Sequence, residues 1–105
     1  MRAGELRHRV AILRKNIARD MYGAAMETWD TLATVWGSIE ALSGKEYFNA
    51  AQVRAEATYR IRIRYFPNIT PAMRVMAGDR IFDIQAVLDP DGRRQELILI
   101  AKEVV

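Results

Sequence analysis

The chain has 105 residues, 50% hydrophobic and 28% charged, with six Gly, three Pro and no Cys. Such a composition builds one ordinary core and excludes a disordered tail, a collagen-like repeat or a low-complexity linker. Without cysteine there are no disulfides, thiol nucleophiles, thiolate metal centres or iron–sulfur clusters. The net charge of +3 is too small by itself to nominate nucleic acid as a partner, but its placement is uneven. Arg2, Arg7, Arg9, Arg14, Lys15 and Arg19 stand against Glu5 alone near the N-terminus, and Arg60, Arg62 and Arg64 form a second concentration. No apolar run reaches the roughly 18 residues of a membrane span, and MRAGELRHRV lacks the apolar stretch of a signal peptide, so a cytoplasmic protein is the default expectation.

Period-two patterning opens the chain. Leu6, His8, Val10 and Ile12 share one face of a predicted first strand, and Arg7, Arg9, Ala11 and Leu13 the other. The polar and small-residue tract Asn16 to Glu27, containing Asp20-Met21-Tyr22-Gly23, reads as a long, mobile hairpin connection. Thr28 to Leu42 is rich in β-branched and aromatic residues and predicts a long strand, bent or bulged at Gly37. Ser43-Gly44-Lys45-Glu46 is a capping box, which predicts a short helix from Lys45 to about Val53. Its apolar stripe is too short to be stable without a packing partner.

Ala55 to Phe66 alternates most cleanly, with Tyr59, Ile61, Ile63 and Tyr65 on one face and Thr58, Arg60, Arg62 and Arg64 on the other. Pro67 and Pro71 end that strand in a rigid loop. Met73 to Met76, a turn at Ala77-Gly78-Asp79, and Arg80 to Leu88 predict a hairpin with Phe82, Ile84, Ala86 and Leu88 aimed inward. The turn Asp89-Pro90-Asp91-Gly92 then leads to a last strand, Gln95 to Val105. Its consecutive apolar residues, Leu97 to Ala101, predict cover on both faces. The sum is a mainly β, single-domain chain over residues 1–105: a small antiparallel β-barrel of about six strands, with one short helix in the insertion between two long strands.

Residues able to carry chemistry are few. The one histidine, His8, sits in a basic strand with no Ser or Asp at suggestive spacing. Asp79 with Asp83, and Asp89 with Asp91, belong to turns, where Asp bonds its own backbone. No phosphate loop, dinucleotide fingerprint or metal-ligand spacing is present, so neither an enzyme nor a cofactor, metal or small-molecule substrate is expected. Arg60, Arg62 and Arg64 project together at intervals of about 6.6 to 6.8 Å along the strand. This ladder has three readings: a solvated face with cross-strand acidic partners such as Glu40 or Glu96, contact with nucleic-acid phosphates, or salt bridges to a neighbouring subunit. Trp29, Trp36, Tyr47 and Phe48 belong either to the core or to an oligomer interface.

Thr34-Val35-Trp36-Gly37-Ser38-Ile39, Ser43-Gly44-Lys45-Glu46-Tyr47-Phe48 and Thr58-Tyr59-Arg60-Ile61-Arg62-Ile63-Arg64-Tyr65 resemble the phage head–tail joining proteins, also called adaptors or stoppers. The opening Met1 to Arg9, the stretch Ile69 to Arg74, Arg80 to Ile84 and the closing hairpin extend the likeness over nearly the whole chain. The resemblance implies a structural virion protein of a tailed phage or prophage, assembled in the bacterial cytoplasm. It implies a homo-oligomeric ring between a portal or adaptor protein and a tail protein, which completes the head, retains packaged double-stranded DNA and docks the tail. No catalysis is implied. It also points the insertion Ser43 to Arg54 toward the channel, with Lys45 and Arg54 as the DNA-facing cations. The region Met21 to Met26 departs from the family in being more apolar. Two other readings stand beside this one: a free-standing OB-like nucleic-acid-binding module, motivated by the arginine ladder, and an interaction scaffold docking through its aromatic cluster.

Overall fold

The architecture follows from a computed structural model that describes residues 7–42, 58–90 and 92–104. These form six strands: β1 (His8–Arg19), β2 (Ala25–Ala41), β3 (Thr58–Arg64), β4 (Arg74–Ala77), β5 (Arg80–Leu88) and β6 (Glu96–Val104). No helix occurs among the described residues. Every pairing is antiparallel, in the order β1-β2-β3-β6-β5-β4, and β4 pairs back onto β1 through Ala11–Met76, Ile12–Val75 and Leu13–Arg74, so the sheet closes on itself. Closure leaves the central part of each strand with two neighbours and removes the exposed edges that a small open sheet would present. The predicted helix from Lys45 to Val53 lies outside the described residues.

Alternation in the strands supplies the core. Val10 and Ile12 of β1, Ile61 and Ile63 of β3, Val75 of β4, Phe82 and Ile84 of β5, and Leu97, Leu99 and Ala101 of β6 form one buried cluster, joined by Ile69 from the loop after β3. β2 adds the partly buried Leu32, Val35 and Ile39. Tyr59, Tyr65 and Phe66 pack on the core side, and Tyr59 meets Phe82 edge to face at 5.3 Å. Burying each large apolar side chain contributes about 1.5–3 kcal/mol, so the inner face of the closed sheet dominates stability.

Two bulges decide which residues face inward, and both correct the simple period-two reading. The β1–β2 register shifts between Ile12 and Leu13, where Ile12 pairs with Ala33 and Leu13 with Thr31, leaving Leu32 as the extra residue. The irregularity predicted at Gly37 is therefore at Leu32. Gly37 has a different cause: a Cβ there would lie 3.0 Å from Ile63 Cγ2 and 3.1 Å from the Arg62 carbonyl oxygen, so only glycine lets β2 and β3 approach. The β5–β6 register shifts between Ile84 and Ala86. Gln85 is the extra residue, and beyond it the strand's faces exchange. Val87 packs on the core while Ala86 and Leu88, predicted inward, line the outside.

The tract Asn16 to Glu27 is likewise not a loop. β1 and β2 continue as a paired ribbon through Asn16–Thr28, Ile17–Glu27, Ala18–Met26 and Arg19–Ala25. Both faces of this ribbon are exposed, so the hydrophobic alternation that marks a half-buried strand is absent and the sequence pattern gives no strand signal. Cross-strand contacts and the turn fix its register instead. The Gly23 N–H donates to the Asp20 carbonyl at 3.0 Å, Asp20 Oδ1 accepts from the Tyr22 and Ala24 N–H groups at 2.8 and 2.9 Å, and Gly23 takes the left-handed φ of 82° that this turn requires. The other hairpins match their signals. Gly78 carries positive φ in the two-residue β4–β5 turn, and Gly92 N–H donates to the Asp89 carbonyl at 3.2 Å before β6.

Candidate interaction surfaces

The arginine ladder stands on β3, where alternation turns Arg60 and Arg62 away from Ile61 and Ile63. Each meets an acid on a neighbouring strand. Arg60 Nη1 lies 3.7 Å from Glu40 of β2, which is its register partner, and Arg62 Nη2 lies 3.3 Å from Glu96 of β6. Arg60, Arg62 and Glu96 are partly buried, and Glu40 is exposed. Arg62 Nε is buried and has no hydrogen-bond acceptor among the described residues. Arg64 is exposed at the end of the strand. Of the three readings of the ladder, the cross-strand partners Glu40 and Glu96 account for two of its members.

Beside the ladder runs an outer groove of about 460 Å³, lined by Arg60 and Arg62 of β3, Ile98 and Ile100 of β6, and Ala86 and Leu88 of β5. Its apolar floor exists because β6 is apolar on both faces and because the bulge at Gln85 sends Ala86 and Leu88 outward. Ile100 is 5% exposed although it is not part of the inner cluster.

The second surface is the ribbon. From Arg14 to Arg19 and from Met21 to Glu27 every residue is exposed. Beyond Leu13, β1 has no strand partner but β2 among the described residues. A strand of that length carries the tip about 20 Å past the closed sheet. Lys15–Glu27 at 2.6 Å, Asn16–Asp30 at 3.0 Å and Arg19 to the Gly23 carbonyl at 2.8 Å hold it together with polar contacts. Yet Ile17, Met21, Tyr22 and Met26 are 66, 87, 88 and 48% exposed, a concentration of unpartnered apolar side chains at one extremity. Ile17, Ala86 and Leu88 are surface residues that sequence reasoning did not single out. The apolar character of Met21 to Met26 was the visible signal for the other three.

Elsewhere cations cover aromatic faces. Arg74 stacks on Trp29 at 4.5 Å while pairing with Asp83 at 2.6 Å, and Arg9 lies 5.0 Å over the half-exposed Trp36. Arg80 lies over Tyr59 and Phe82 and pairs with Glu103 at 3.0 Å; the hydrogen bond lowers the Glu103 pKa from its ordinary value and raises that of Arg80. Trp29 and Trp36 thus sit on β2 about a ribbon's length apart, on the outer part of the molecule rather than in the inner cluster. Lys45, Arg54, Tyr47 and Phe48 lie outside the described residues. His8 is exposed at the start of β1, Asp83 is engaged by Arg74, and Asp89 serves its turn, its Oδ2 accepting from the Arg94 N–H at 3.2 Å. No cluster of three or more potential metal ligands occurs among the described residues.

Among the described residues the surface thus offers a groove and a protruding arm, and no cluster of potential metal ligands. Residues 1–104 match the family of phage head completion proteins, and the chain belongs to that family. It is 29% identical over 92 residues to head completion protein gp7 of Enterobacteria phage HK97, covering 86% of this chain and 82% of that protein. Protein SF1141 of Shigella flexneri 2a, known from its solution structure, is similar at 31% identity with a TM-score of 0.78, over 98% of this chain and 96% of that one. A chain in the virion of a native gene transfer agent particle is similar at 28% identity with a TM-score of 0.67, over 95% and 96% of the respective chains. The protein is a structural component of a virion, of a family of head completion proteins and not of enzymes.

Proposed function

We propose that this chain is a ring-forming connector: copies of a single β-barrel domain assemble between the portal or adaptor protein and the tail, close the filled head, retain its DNA and offer the tail a docking surface. The observation that carries this reading is the filled core. Phe82, Ile12, Ile61, Ile63 and Leu99 occupy the inside of the closed sheet, so DNA cannot thread one chain, and a conduit needs several copies around an axis. Membership of the head completion family and the similarity to a chain of an assembled gene transfer agent particle support it. In a ring, each cation facing the axis recurs once per subunit, so a monomer of net charge +3 generates a concentrated field for phosphate. We assign that role first to Lys45 and Arg54, because the segment between β2 and β3 resembles the family's channel-facing loop; Arg60 and Arg62 have acidic neighbours on their own chain.

Deleting the gene tests the proposal. Heads that package DNA, then lose it and remain separate from finished tails, are the expected product, and purified protein added to them restores joining. Heads that hold their DNA and join tails without the protein would refute it.

A further inference from the structure

We propose that Arg64, Arg93 and Arg94 form a site for the backbone phosphates of double-stranded DNA. The inference rests on the ring reading above and gives it a second set of DNA contacts, distinct from Lys45 and Arg54. Topology brings the three arginines together. Arg64 ends β3 and is the register partner of Glu96, and the ladder runs one rung further, the Tyr65 N–H donating to the Gln95 carbonyl at 3.1 Å. Arg93 and Arg94 directly precede Gln95, so one strand end and the adjoining loop hold all three. The place is remote from the insertion, which enters β3 at Thr58, about 20 Å away along the strand.

All three residues are exposed. Unlike Arg60, Arg62, Arg74 and Arg80, their guanidinium groups make no ion pair or hydrogen bond among the described residues. The acids described at this end are engaged: Glu96 pairs with Arg62 at 3.3 Å, and Asp89 Oδ2 accepts from the Arg94 N–H at 3.2 Å. Asp91 of the same turn lies outside the described residues. The backbone supplies an independent observation. Arg94 has a φ of 56°, a left-handed conformation that glycine adopts freely and a larger residue only under strain. Strain is thus borne at a residue whose side chain holds nothing in its own chain. The surroundings select phosphate over a protein surface. None of the exposed large hydrophobic side chains falls within residues 64–71 or 92–97, so the apolar centre of a protein interface is missing. Exposed Asn68 and Gln95 instead flank the arginines with further hydrogen-bond donors, the set that contacts a phosphodiester backbone. Around a ring the three cations recur once per subunit.

DNA-filled heads made without the chain and completed with purified protein provide the test. Arg64→Gln/Arg93→Gln/Arg94→Gln should keep its unfolding midpoint and bind heads at the unsubstituted copy number, while the fraction of heads that release DNA to added nuclease rises at least tenfold. The corresponding triple lysine variant keeps the charge and should retain DNA. Full incorporation of the glutamine variant with full retention of DNA would overturn the site. Failure of that variant to bind heads would show that the arginines meet an acidic protein surface, and would overturn the assignment to DNA. Heads that hold their DNA with no copy added would instead contradict the ring reading. Arg94→Gly separates charge from backbone: it relieves the strained φ and removes one cation, so the midpoint should not fall while DNA release rises. A lowered midpoint with unchanged release would make Arg94 a structural residue and remove it from the site.

Discussion

The closed sheet and the ribbon are built from the same two long strands and obey opposite rules. Within β1, Val10 and Ile12 are buried against Phe82, Val75 and their neighbours, whereas from Arg14 onward every side chain to Arg19 is exposed. In the first region hydrophobic burial fixes the register, and polar groups face outward in pairs such as Arg62–Glu96. In the second, register rests on the Asp20 turn and cross-strand pairs such as Lys15–Glu27, and apolar groups face outward. Stability and exposed apolar surface are therefore separable here: one half of the hairpin holds the molecule together, and the other half carries side chains that touch little of their own chain.

That separation can be broken or sharpened by substitution. Phe82→Ala removes a fully buried ring from the inner cluster and is expected to cost about 3–5 kcal/mol in denaturant unfolding, with loss of cooperativity at physiological temperature. Gly37→Ala places a methyl against Ile63 and, less forgivingly, against the Arg62 backbone oxygen; about 1–3 kcal/mol of destabilisation is expected from such overpacking, read as a lower midpoint at unchanged m-value. Asp20→Ala removes an acceptor shared by the Tyr22 and Ala24 N–H groups. Its effect should be confined to the ribbon: faster hydrogen exchange at residues 16–27 and a global change of no more than about 1 kcal/mol. Met21→Ala/Tyr22→Ala should shift global stability by less than about 0.5 kcal/mol, since those side chains touch little of their own chain. A large loss from that last pair would show that the ribbon belongs to the folding unit.

How far the sequence reveals the molecule follows the same division. Where one face is buried, period-two patterning is legible: Ile61 and Ile63 inward with Arg60 and Arg62 outward, Phe82 and Ile84 inward, Gly78 and Gly92 in turns, and Glu40 and Glu96 beside the arginines. Where both faces are wet, pattern carries no signal, and Asn16 to Glu27 reads as a connection although it is paired strand. Bulges are the second blind spot. Nothing in the composition of Asp30 to Thr34 or Asp83 to Val87 announces the extra residues at Leu32 and Gln85, the second of which turns Ala86 and Leu88 to the outside, and with them the groove. The family, in contrast, was visible in motif order across strands and loops, because motif order survives errors of face and register.

The measurement that bears most directly on the account is the copy number and arrangement of this chain in purified particles, obtained by quantitative mass spectrometry together with electron microscopy of the head–tail junction. The account predicts many copies per particle, disposed as one closed ring around the DNA path. Particles that lack the chain, or carry one molecule of it off the axis, would contradict it.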